Sequence, residues 1–211
     1  MWRILVPLQY LRIAHPEKWK FDYGLPIVLG AFFALPVFSS EFVKDAVGSL
    51  DIIGRLSNFL GVLTGFFIAA LAAVATFGKQ EMDDPMPGEP PVRLEHTVNT
   101  ESYFENLSRR RFLSFLFGYM AFLTLVLYVV GYVYLLTDKY WLSEAAATWR
   151  PTIFRVFWCV YVLALANLLS NTLLGLFYLT DRIHRPNRVA RWGHRTAPQK
   201  LSLEAGWSQN R

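Results

Sequence analysis

The residues in this chain of 211 whose type and spacing could do chemistry are few, and the clearest are amides. In the stretch ALANLLSNTLLG, Asn167 and Asn171 lie one helical turn apart on one face, with Ser170 and Thr172 beside them. Inside an apolar run such amides seek partners on neighbouring helices, each bond contributing about 0.6–2 kcal/mol, or they line a watery cleft. Helix-to-helix bonding is the expectation. The alternative is a channel or membrane-permeabilising effector with Asn167, Ser170 and Asn171 along its path.

Acid–base, nucleophilic and metal chemistry find less to work with. The central parts of the apolar runs carry no Asp, Glu, Lys, Arg or His, and the first run, read from residue 24, is equally bare. No HExxH pair, GxSxG elbow or Walker A loop occurs. His15, His96, His184 and His194 are scattered outside the runs, and Arg182, His184 and Glu17 are too loose a set for a lipid-modifying enzyme. Cys159 stands alone inside an apolar run, where it reads as a small packing residue and leaves no disulfide or metal framework. The expectation is a non-enzymatic protein with no cofactor, no metal and no catalytic residue.

The elements that hold these residues follow from composition. Hydrophobic residues make up 54% of the chain and are gathered into long blocks. Blocks near 20 residues match a hydrocarbon core of about 30 Å at 1.5 Å per helical residue. Four are found, at about 24–40, 56–78, 112–137 and 152–180. Pro26 and Pro151 sit where a first-turn proline costs little, whereas Pro36 predicts a kink or an end. Alternating ten-residue strands of a barrel are absent. The fold class expected is therefore an all-α integral membrane protein with four transmembrane helices.

Lys and Arg flanking the spans set its orientation. The segment 1–23, the loop 78–111 and the tail 181–211 hold sixteen of them, against five at the opposite ends. Both termini are thus expected in the cytoplasm, and the protein in a bacterial inner membrane. Residues 1–23 mix Trp2, Tyr10, Trp19 and Tyr23 with four bases, which suits a segment in the membrane interface or one packed on the inner end of the bundle. In the loop, Glu81, Asp83, Asp84 and Glu89 surround a proline-rich stretch, and NTESYFENLS reads as a polar helical run-in to Arg109, Arg110 and Arg111. The tail sets Arg182, Arg185, Arg188 and Arg191 three apart. These charges are the expected contacts for anionic headgroups or a cytosolic protein partner. Direct nucleic-acid binding is not expected, because no recognised nucleic-acid-binding fold accompanies the bases.

The second block, GVLTGFFIAALAAVATF, places Gly61, Gly65, Ala69 and Ala73 four apart. Such a stripe permits close backbone approach by another helix. With Ala70, Ala72 and Ala75 it makes a slim helix, expected at the centre of the bundle. Its neighbour is either a helix of the same chain or the same helix of a second copy in a homo-oligomer.

GFFIAALAAVATF, followed by RRRFLSFLFGYMAFLTLVLY, resembles a group of uncharacterised four-span bacterial inner-membrane proteins. In size and topology the chain also resembles the small membrane subunits of bacterial anti-phage systems such as Kiwa. That resemblance implies a membrane oligomer working with a soluble cytoplasmic partner.

Overall fold

The computed structural model describes residues 2–14, 18–48, 51–76, 82–86, 92–98, 101–140 and 148–180. It is mostly helical. Four of its helices are long and apolar enough to cross a membrane: Lys20–Phe38, Ile52–Thr76, Arg109–Tyr140 and Arg150–Thr180.

The first is composite. A π turn at Lys20–Gly24 leads into α1, Leu25–Ala34, and then into a 3₁₀ turn, Leu35–Phe38. Pro26 lies at the start of α1, directly after the π turn, and Pro36 falls in the 3₁₀ turn, where it halts the α-helical ladder. A short helix, α2 (Ser40–Gly48), follows, and its Phe42 ring meets Trp158 edge-on at 5.7 Å. The three remaining long helices are α3 (Ile52–Thr76), α4 (Arg109–Tyr140) and α5 (Arg150–Thr180). At 25, 32 and 31 residues they are roughly 38, 48 and 47 Å long. Asp51, at a φ of 39°, precedes α3 and accepts a bond from the Gly54 amide at 3.2 Å, an aspartate cap of the first turn.

These helices stand in the order α3, α4, α5, α1. Helix α3 packs along α4 and α1 along α5, the two pairs meet through α4 and α5, and α1 makes no extensive contact with α3. The face that α3 turns to α4 carries Ile53, Ser57, Leu60, Phe67 and Val74, all buried at helical spacing. This corrects the expectation that α3 is central. It stands at the end of the row because its larger side chains fill one face only.

Closest approach occurs at isolated glycines. A Cβ at Gly30 would lie 3.2 Å from the Leu163 Cα, one at Gly175 3.3 Å from the Met120 Cε, and one at Gly131 2.8 Å from the Ser57 Oγ. Absence of a side chain at these points lets α1 and α4 meet α5, and α3 meet α4.

The fold is not purely helical, a second correction. Residues Trp2–Arg12 wind as a 3₁₀ coil and run into β1, Ile13–Ala14. Strand β1 pairs antiparallel with β2 (Arg93–Val98), and β2 with β3 (Glu101–Asn106). The expected helical run-in over NTESYFENLS is thus a strand for six residues, and α4 begins at Arg109. Two residues separate β2 from β3, so the chain folds back as a hairpin, and β1 supplies a third strand that stabilises it. Ile13 and Leu94, opposite one another in the sheet, are buried in one cluster with Phe112 and Leu113 of α4.

Candidate functional site

The 3₁₀ coil, the sheet, the last turns of α3 and α5 and the first turn of α4 share one end of the molecule. Phe112 and Tyr178 meet there edge-on at 5.0 Å. Into this end the sequence gathers its buried polar groups. Tyr10, fully buried, enters between α4 and α5. Its ring stacks on Tyr119 of α4 at 5.1 Å, and its hydroxyl faces the Asn171 Oδ1 at 2.7 Å and the Asp22 Oδ1 at 3.1 Å. One hydroxyl proton therefore serves two acceptors.

The other Asp22 oxygen pairs with the Lys18 ammonium at 2.7 Å. The same ammonium sits 4.5 Å from the centre of the Tyr10 ring, a cation over an aromatic face. Asn167 completes the network. It donates through Nδ2 to the Asp22 carbonyl at 2.8 Å and accepts through Oδ1 from the Tyr119 hydroxyl at 2.9 Å. Asn171 donates to the Asn167 carbonyl at 3.0 Å. The N-terminal coil, the first spanning segment, α4 and α5 are thus tied through one connected set of polar groups.

Asn167 and Asn171 are therefore bonded across elements, and their chief partners come from the first 22 residues. Ser170 and Asn171 are fully buried, and the Ser170 hydroxyl donates to the Ala166 carbonyl at 2.8 Å. Neither presents a polar surface to a solute within the single chain. Asp22 corrects the reading of the first run as bare. The helical segment starts at Lys20, earlier than residue 24, and brings the carboxylate inside. The i,i+4 spacing of Lys18 and Asp22 was a readable signal for the pair, whereas nothing local marks Tyr10 as their partner.

Burial pushes the Tyr10 hydroxyl well above its ordinary value of 10.0, and the Asp22 charge pushes it further. The folded state holds this proton more tightly than the unfolded one. Its contribution is complete below pH 10 and falls as the pH rises beyond that, because the unfolded chain then ionises while the docked tyrosine does not. A spin label at Leu11→Cys, in a Cys159→Ala background, is expected to gain mobility above about pH 10. With Tyr10→Phe the same label should show no such step. Identical alkaline profiles for the two proteins would remove Tyr10 as the group responsible.

The arginine triplet is also engaged within the chain. Arg110 reaches the end of α3, donating to the Val74 and Ala75 carbonyls at 3.1 and 3.3 Å, where a cation complements the helix dipole. The same guanidinium pairs with Asp83, Nε to Oδ1 at 2.7 Å, and holds that exposed carboxyl below its ordinary range. Arg111 pairs with Glu105 of β3. The buried Arg109 donates its amide to the Asp84 carbonyl at 3.2 Å. Glu81, Glu89, Arg182, Arg185, Arg188 and Arg191 lie outside the described residues.

The small-residue stripe is turned away from the rest of the chain. Gly61, Gly65, Ala69 and Ala73 are all exposed. A Cβ at Gly65 would meet nothing within 4 Å, and one at Gly61 only the Tyr128 ring, at 3.9 Å. Among the described residues, no group of three or more His, Cys, Asp or Glu could hold a metal ion.

Helix length, hydropathy and an outer surface rich in exposed Val, Leu and Phe define the class as a multi-pass membrane protein. Comparison with protein-family models, with curated proteins and with solved structures finds no match that would narrow this further.

Proposed function

We propose that this is a non-enzymatic protein of a bacterial inner membrane that self-associates and anchors, or signals to, a cytosolic protein. The observation that carries the reading is the asymmetry of the molecule. Among the described residues, one end bears a folded sheet and the N-terminal coil, while the opposite end bears α2. The excess of Lys and Arg on the segments of that end supports a cytoplasmic placement. A rigid, charged platform there suits protein docking better than catalysis. Resemblance in size and topology to membrane subunits of anti-phage systems favours a sensor or anchor in such a system.

The channel alternative has less support, because the amides that would line a path are spent on bonds within the chain. The docking surface is tested by placing a photo-crosslinking residue at Arg93, exposed at the start of β2, in the full chain in its native membrane. Capture of one soluble protein, lost when Arg12→Glu, exposed beside β1, is added at equal expression, supports the reading. Adducts only to lipid or to other copies would end it. Fusion reporters at both termini check the orientation independently.

A further inference from the structure

Strand β3 has an open edge. The sheet order is β1, β2, β3, so β2 is covered on one side by β1 in part and on the other by β3, while nothing among the described residues pairs with the outer side of β3. Its six residues, ESYFEN, contain no proline, and its register with β2 runs without a bulge from Arg93↔Asn106 to Val98↔Glu101. Natural edges of this kind are usually blunted or else used for pairing. The sheet face carrying Ile13 and Leu94 is closed against the bundle. Phe104, outside the membrane-spanning helices, is nevertheless 55% exposed.

We propose that this edge pairs with the same edge of a second copy, antiparallel, with Phe104 of each copy on the two-fold axis. The proposal deepens the self-association part of the reading above and rests on it. Residues directly opposite in an antiparallel ladder both turn their N–H and C=O inward or both turn them away. A two-fold axis must therefore pass through a residue opposed to itself. Centring on Tyr103 would set Glu101 against the second copy's Glu105 on both sides of the axis, and like charges directly opposed are destabilising. Centring on Phe104 instead opposes Ser102 to Asn106 and Tyr103 to Glu105, with no like charges, and covers the exposed ring with its symmetry mate. Of the self-paired registers centred in β3, this one alone both keeps like charges apart and sets the exposed Phe104 ring against its own mate.

Single cysteines in the full-length Cys159→Ala protein, oxidised in native membranes, test it. Opposed Cα atoms in such a pair are about 4.5–5.5 Å apart, inside the disulfide range of about 4.4–6.8 Å. Phe104→Cys should give a covalent dimer, at a yield at least about fivefold above Tyr103→Cys, whose mates lie beyond about 7 Å in this register. Equal or greater crosslinking through Tyr103→Cys would overturn the register and the proposal. Dimers through Gly65→Cys with Phe104→Cys silent would overturn it while keeping self-association, moved to the groove of α3. Silence at all three sites, with a monomeric mass in detergent, would overturn both.

Discussion

Replacing Asp22 with leucine is expected to detach the N-terminal coil and to destabilise the protein by about 3 kcal/mol. The figure is at the low end of the 3–5 kcal/mol typical when one partner of a buried ion pair is removed. Lys18, with 12% of its side chain exposed, has some access to water and can partly recover its solvation. The Asp22 carboxylate is buried, and its loss also removes one acceptor from the Tyr10 hydroxyl. The double variant Lys18→Met, Asp22→Leu should recover more than half of the loss, because it leaves no unpaired charge. Reversible unfolding in mixed detergent, followed for both single variants and the double, measures the coupling. Strict additivity would show that the pair does not act as a unit.

The second large effect is expected at Gly30. A Cβ there would stand 3.0 Å from the Leu163 Cδ1 and 3.2 Å from the Leu163 Cα. The first contact could be relieved by a rotamer change, but the second is backbone. Gly30→Leu must therefore force α1 away from α5, at about 2–3 kcal/mol or more. Gly65→Leu, where a Cβ meets nothing within 4 Å, should change the stability of the single chain by less than about 0.5 kcal/mol. The contrast is measured by the same unfolding assay. Comparable losses at the two sites would mean that the stripe on α3 is covered when the protein is folded in its membrane or detergent environment.

Those two glycines mark the boundary of what was legible. Length and hydropathy placed all four long helices, since a run of twenty apolar residues has few other uses. The facing of α3 was not legible from its small residues. Four-residue spacing defines a groove but not which way it points, and the decision fell to Leu60, Phe67 and Val74 on another face. The contacts that bring the helices close lie at Gly30, Gly131 and Gly175, single residues without a repeat. The sheet escaped notice because β2, RLEHTV, is mostly polar and its β1 partner is some eighty residues away. Within the polar site, Asn167 and Asn171 announced a need for partners. The partner of Asn171 is Tyr10, 161 residues earlier, and no local pattern encodes such a pairing.

That separation has a consequence for biogenesis. Tyr10 leaves the ribosome well before the helix bearing Asn171. At about 5–20 residues per second, the 161 intervening residues take roughly ten to thirty seconds to synthesise. Through that interval the coil has no finished slot to enter, and Lys18 and Asp22 have only each other and water. The N-terminal coil thus locks only after α5 has been made, and its docking reports that α4 and α5 have been packed together.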